Sequence, residues 1–321
     1  MYSFQEISAD FNKRFAQRHF PFAPSSLYDP AEYFLGIGGK RIRPVMCLMA
    51  NEMFGNISPD AYEVATAIEL FHNFTLIHDD IMDKAPLRRG VETVHTKYGE
   101  STALLTGDVM MVLAYEYLNR INASYLHRII LNFNTAARQV CEGQQLDMDF
   151  EKKEHVSLDE YINMIELKTS VLLAASLKMG AILGGAEKGS QDHLYHFGRN
   201  LGIAFQIQDD YLDAFGDPSK FGKQVGGDIL SNKKTFLVIH VLENCSEPEI
   251  VEFRHLMKSD DPGKVEKVLQ LFRECGVDTW ASGLKDKYIG FAEHHLEELA
   301  VTAVRKEAMR NLMQFLVQRD H

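Results

Sequence analysis

At 321 residues, 45% of them hydrophobic and 25% charged, the chain has ordinary globular composition and enough apolar material for a large buried core, which excludes disorder. Its formal net charge of −11, with basic residues scattered apart from Lys40-Arg41-Ile42-Arg43 and Arg88-Arg89, excludes a nucleic-acid-binding face and nucleic acid as a partner. The four cysteines, Cys47, Cys141, Cys245 and Cys275, are far apart and form no CxxC pair, so they read as reduced, buried small side chains and not as a disulfide framework or zinc site.

The N-terminal stretch MYSFQEISADFNKRF carries charges where a signal peptide needs its apolar segment. No window of about 18 uncharged apolar residues occurs, since Asp108 and Lys178 interrupt the two nearest candidates. A cytoplasmic protein without stable membrane insertion is expected. Apolar residues at three- and four-residue spacing predict helices over 61–82, 101–120, 160–183, 193–215 and 234–243. Gly, Pro, Asn and Ser clusters place loops at 55–60, 84–90, 184–190, 216–228 and 259–264. No linker divides the chain. The expectation is an all-α fold, a single-domain helical bundle over 1–321 whose site is built from facing side chains.

In chain order, the first chemistry-bearing stretch is Gly36-Ile37-Gly38-Gly39-Lys40-Arg41-Ile42-Arg43-Pro44, where glycines allow close backbone approach and Lys40 and Arg43 can donate to phosphate. It lacks the spacing of a Walker loop. Asp79-Asp80-Ile81-Met82-Asp83 ends the first long predicted helix, and Arg88-Arg89 follows it. Asp209-Asp210-Tyr211-Leu212-Asp213 ends the helix over 193–215, followed by Lys223 and Lys233 or Lys234 around Asp228. Residues four apart stack on one helix face, so Asp79 with Asp83, and Asp209 with Asp213, can each share a cation. One such motif alone reads better as a solvated acidic helix end. Two copies, each embedded in apolar sequence, point instead to hard cations shared with a phosphate-bearing substrate. His72 lies two turns before Asp79 on the same helix face.

With these residues in view, the chain resembles the trans-isoprenyl diphosphate synthases of the polyprenyl synthetase family. GGKRIRP, HDDIMDKAPLRRG, GQQLD, KT, FQIQDDYLD and GKQVGGDILSNKKT occur in the family's order over about 36–236. The resemblance implies an isoprenoid-synthase bundle with a central cavity, and Mg²⁺, three ions, held by Asp79, Asp83 and Asp209. Asp80, Asp210 and Asp213 complete the acidic shell, with Asp147 of GQQLD a further candidate member. Lys40, Arg43, His72 and Arg89 would bind isopentenyl diphosphate. Arg88, Lys168, Gln206, Lys223 and Lys233 would contact the allylic diphosphate. The carbonyl of Lys168 and the oxygens of Thr169 and Gln206 would stabilise an allylic carbocation formed by ionisation, before condensation and proton loss. A homodimer is also implied.

Product length in the family depends on bulk four or five residues before the first acidic motif, here Thr75 and Phe74, with Phe71 deeper. One aromatic at these two positions suggests a C15 to C20 product, leaning to C20. On an ideal helix Phe74 lies about 140° from Asp79 and Thr75 about 40°, so Phe74 narrows a pocket from its flank or is ordinary core. Two rivals stand beside the synthase reading. A class I terpene cyclase also uses DDxxD but typically carries an NSE-type second motif. A noncatalytic partner subunit would be expected to lose the acids and basic clusters, all of which stand here.

Overall fold

Local capping chemistry sets many of the helix starts. The Ser3 hydroxyl accepts the Glu6 N–H while the Glu6 carboxylate accepts the Ser3 N–H, and this capping box begins α1 (Phe4–Phe15). After α2 (Ser25–Gly36) and α3 (Ile42–Glu52), α4 (Pro59–Met82) starts from Ser58, whose side chain accepts from the Ala61 N–H. A short hairpin of β1 (Leu87–Arg88) and β2 (Val91–Glu92) leads into α5 (Val94–Tyr98), α6 (Glu100–Leu118) and α7 (Ala123–Lys152). Another capping box, Ser157 with Glu160, opens α8 (Leu158–Ile165). A π-helical turn at Glu166–Ser170 carries α8 into α9 (Val171–Leu183), and α10 (Lys188–Phe215) follows. The remainder is α11 (Gly227–Leu230), α12 (Phe236–Asn244), α13 (Glu247–Met257), α14 (Lys264–Glu274), α15 (Val277–Glu297) and α16 (Ala303–Val317).

This computed structural model describes residues 1–216 and 225–317. The all-α expectation holds: among the described residues the hairpin is the only sheet. The chain falls into two compact units. The first is Met1–Phe133 with Ser176–Gln191 and Val301–Ala308; the second is Asn134–Ala175 with Asp192–Ala300 and Met309–His321.

Several expectations need correction. The predicted loop over 84–90 contains half of the hairpin, because Arg89 and Gly90, both at positive φ (54° and 77°), make a two-residue turn with the twist that antiparallel strands need. The predicted helix over 160–183 runs unbroken but widens into a π turn at Glu166–Ser170, which hydrophobic spacing does not register. α10 begins at Lys188, inside the predicted loop over 184–190. Gly227 and Asp228 are helical, and 217–224, the rest of that predicted loop after Gly216, lie outside the described residues up to Val225. Of the cysteines only Cys47 is buried. Cys141 is exposed on α7, while Cys245 and Cys275 are half-buried at helix ends.

In the first unit α3 is buried over Pro44–Asn51, and it is held tightly at one point. A Cβ on Gly180 of α9 would stand 2.0 Å from the Cys47 carbonyl oxygen and 3.0 Å from the Ala50 Cβ. The second unit packs around Tyr161, Phe236, Phe253 and Phe272, with Trp280 partly buried against them. Because backbone must move to admit a methyl group at Gly180, Gly180→Ala should cost about 1–3 kcal/mol and lower the unfolding midpoint. Gly283→Ala, in α15 where nothing lies within 4 Å, should leave that midpoint unchanged or slightly raised. Equal midpoints for the two variants would show that the Cys47–Gly180 approach is not tight.

Candidate active site

The first unit carries the first acidic motif at the C-terminal end of α4. Asp83 is the C-cap residue, its N–H donating to the Asp79 carbonyl at 2.8 Å, so the helix ends on the motif itself. Asp79 is half-buried and Asp83 exposed. Asp80 is only 1% exposed and is fully engaged by Arg88, whose Nε donates to both carboxylate oxygens at 2.9 Å and whose Nη2 lies 2.7 Å from Oδ1. The hairpin makes this possible. Arg88 sits in β1, and the next residue, Arg89, turns its guanidinium onto Gly39, where a Cβ would stand 2.7 Å from Nη1. The glycine-rich stretch thus admits an arginine of the protein itself.

Arg41 begins α3 in a left-handed conformation (φ 49°) with its side chain buried. Its guanidinium pairs with Glu69 of α4, donates to the Leu35 carbonyl at 3.0 Å and lies over the Phe15 ring at 4.8 Å. Asn73 completes the network by donating to Glu69 Oε1 at 2.8 Å. Arg41 therefore anchors the turn between two exposed or half-buried cations, Lys40 and Arg43. Arg43 Nη1 donates to His72 Nε2 at 3.1 Å, which requires that nitrogen to be unprotonated. Burial pushes Arg43 down to about 10, still charged at neutral pH. Desolvation, and then the charges of Arg43, Arg89, Arg88 and Arg41, hold His72 well below the ordinary histidine range. Glu69 answers Arg41 and Asp80 answers Arg88, whereas no carboxylate pairs directly with Arg43 or Arg89 among the described residues.

Deeper on α4, Phe71 is buried against Phe133 at 5.3 Å and Phe74 at 5.6 Å, and Phe74 also meets the His78 ring at 4.7 Å. Thr75 Oγ1 donates back to the His72 carbonyl at 2.8 Å.

The second unit brings Gln206, Asp209, Asp210 and Asp213 along α10, and Lys168 and Thr169 on the π turn. Thr169 Oγ1 donates to Gln206 Oε1 at 3.1 Å, Gln206 Nε2 donates to Asp210 Oδ1 at 2.8 Å, and the Tyr161 hydroxyl donates to Asp210 Oδ2. Desolvation, then the nearby Asp228 charge, pushes Asp210 up to about 7. Asp213 Oδ2 accepts the Asp228 N–H at 2.9 Å, and Lys233 lies 3.5 Å from the Asp228 carboxylate. Lys168 Nζ donates to Asp147 Oδ2 of α7 at 2.5 Å. Lys234 instead donates to the Phe150 and Glu151 carbonyls, capping the end of α7. Two glycines let backbones meet the π turn: a Cβ on Gly143 would stand 2.2 Å from the Lys168 nitrogen, and one on Gly202 would stand 2.7 Å from Ser170 Cα.

The second unit therefore gathers Lys168, Thr169, Gln206, Asp210, Asp213 and Lys233 on α10 and its neighbours, and Asp209 shares that helix. Lys223 lies outside the described residues. Sequence reasoning gave no role to Tyr161, Arg41 or Glu69, although Arg41 stood inside GGKRIRP. Spacing along the chain carries no signal for a tyrosine 49 residues from its aspartate.

The chain is similar to known proteins over most of its length. The family profile described as Polyprenyl synthetase matches residues 24–275. A short chain isoprenyl diphosphate synthase of Methanothermobacter thermautotrophicus is 38% identical over 93% of this chain and 92% of its own. A geranylfarnesyl diphosphate synthase of Natronomonas pharaonis is 34% identical over 93% of this chain and 91% of its own. The crystal structure of a geranylgeranyl pyrophosphate synthase is similar with a TM-score of 0.95 and 41% identity, covering 99% of each chain.

The neutral state of His72 has a consequence for stability. An imidazole whose folded-state pKa lies below its unfolded value contributes stability that is complete above that value and is lost as the pH falls. The unfolding free energy of the wild type relative to His72→Gln should therefore decline as the pH falls through 6.5. A difference that stays constant from pH 8 to pH 5 in denaturant titrations would show that His72 is not held neutral.

Proposed function

Because the chain belongs to the Polyprenyl synthetase family, we propose that it condenses isopentenyl diphosphate with an allylic diphosphate, head to tail, into a short trans-polyprenyl diphosphate of twenty carbons. It is a prenyltransferase, and its relatives carry the names of prenyl diphosphate synthases and not of cyclases or regulatory subunits. The observation that carries the substrate class is the pairing of carboxylate-free guanidiniums, Arg43 and Arg89, with a neutral His72 on the helix that ends in Asp79 and Asp83. A multiply charged anion is what such a cluster neutralises.

The donor set suits a hard divalent cation, being oxygen only, with Asp80 committed to Arg88 and Asp210 to Tyr161 and Gln206. Asp79 and Asp83 in the first unit and Asp209 in the second would hold Mg²⁺, three ions by the family pattern. When bound, the metal supplies positive charge toward the departing diphosphate. Lys40, Arg43, His72 and Arg89 orient isopentenyl diphosphate. The family pattern assigns the allylic diphosphate to Arg88 of the first unit and, independently, to Lys168, Gln206, Lys223 and Lys233 of the second stretch of chain. Asp80 and Asp210 act as positioning residues, fixing Arg88 and Gln206, while Asp213 holds the Asp228 backbone beside Lys233. The allylic C–O bond breaks with its electron pair leaving on oxygen, the isopentenyl double bond supplies the pair for the new C–C bond, and a proton passes to the departed pyrophosphate. By the family pattern the oxygens of Thr169 and Gln206 and the Lys168 carbonyl would stabilise the carbocation through the negative ends of their dipoles.

One family match running from 24 to 275 draws on both units, which supports the whole chain, 1–321, acting as one catalytic domain. A homodimer is supported by exposed Leu104, Leu105 and Val112 on α6 and Leu131 on α7. No helix among the described residues is long and apolar enough to cross a membrane, and we place the protein in the cytoplasm.

Purified protein given isopentenyl diphosphate, Mg²⁺ and a C5, C10 or C15 allylic primer should release a C20 diphosphate. Asp79→Asn and Asp209→Asn should each lower turnover by about 100-fold or more. Primer consumption without isopentenyl incorporation would instead mark a cyclase. Phe74→Ala should lengthen the product by at least one isoprene unit, and an unchanged product distribution would show Phe74 to be ordinary core with no part in setting length.

A further inference from the structure

Three helix ends in the second unit converge on a set of donors that the prenyl transfer does not use. Cys245 is the C-cap residue of α12, with an extended backbone (φ −88°, ψ 168°). Glu249 stands in the first turn of α13, and Cys275 is the C-cap residue of α14. One donor atom from each, two sulfurs and a carboxylate oxygen, lies within 4.8 Å of the other two, and all three residues are half-buried. The carboxylate is already held in place, since the Ser246 N–H and hydroxyl both donate to Glu249 Oε2, at 2.7 and 2.5 Å. Oε1 lies outside that capping box.

We propose that Cys245, Glu249 and Cys275 bind one thiophilic divalent cation of the zinc class, with solvent in the fourth position. In a tetrahedral zinc site with Zn–S near 2.3 Å, neighbouring sulfurs stand roughly 3.8 Å apart, so small side-chain rotations bring the donors to bonding distance. Hard cations prefer all-oxygen sites, and two thiolates select against them. A divalent cation offsets the charge of two thiolates and a carboxylate gathered at one point, and binding releases the thiol protons to solvent. The bound ion ties together the ends of α12, α13 and α14.

The test uses reduced, full-length protein titrated anaerobically with Cd²⁺ and then Zn²⁺. Thiolate-to-cadmium charge-transfer absorbance should saturate at one equivalent and be displaced by Zn²⁺. Cys245→Ser and Cys275→Ser should each abolish it, Cys141→Ser should leave it intact, and Glu249→Gln should weaken binding about 10-fold or more. Oxygen and nitrogen donors elsewhere give no such band, including the His193 and His295 imidazoles whose Nδ1 atoms lie 3.1 Å apart. Zn²⁺ should also raise the unfolding midpoint of the wild type and not of the two serine variants. No sulfur band in the reduced protein, or a band that persists in both serine variants, overturns the site. So does recovery of Cys245 and Cys275 as a disulfide from zinc-replete cells.

Discussion

Adjacent carboxylates repel one another, and each DDxxD motif sets two of them side by side where a helix ends and its macrodipole adds to the repulsion. The protein meets that constraint in the same way in both units. The second aspartate is turned onto the scaffold, Asp80 onto Arg88 and Asp210 onto Tyr161 and Gln206. With that acid neutralised or hydrogen-bonded, the first aspartate and the one four residues on can share a helix face. Asp213 departs from strict symmetry, because its carboxylate also accepts the Asp228 N–H.

The basic groups divide along the same line. Of the four arginines around His72, two are matched to buried acids and hold structure: Arg41 with Glu69 pins the start of α3, and Arg88 with Asp80 pins the hairpin to the end of α4. Removing Glu69 would strand the buried charge of Arg41, which is why such a pair is costly to break even where its net contribution is small. The type of turn matters here. A two-residue hairpin with positive φ at Arg89 and Gly90 sends consecutive arginines to different work, one to an aspartate and one across the backbone of Gly39.

Much of this was legible in the sequence. Helical spacing located α4, α6, α10 and α12 to within a few residues, since each has a sustained apolar face, and the acid motifs fell at helix ends as expected. The resemblance supplied roles for Lys168 and Thr169, and the structure adds that both ride on a π turn. What could not be read depended on contacts distant in sequence. Nothing local marks Tyr161 as the partner of Asp210, or Glu69 as the partner of Arg41. The cysteines misled for the same reason: 30 residues separate Cys245 from Cys275, and only the packing of α12 to α14 brings them together. Phe74 packs against both Phe71 and His78, contacts three and four residues away on its own helix.

The π turn at Glu166–Ser170 has a consequence beyond its own five residues. A wide helical turn is not the conformation an isolated peptide chooses, and here it is pressed from two sides by glycines that leave no room for a methyl group. The register of Thr169 is therefore dictated from outside its own segment. A homologue that swaps the ELKTS pentapeptide alone would inherit the residues without their register, while a methyl group at Gly143 or Gly202 would shift that register with the pentapeptide itself unchanged.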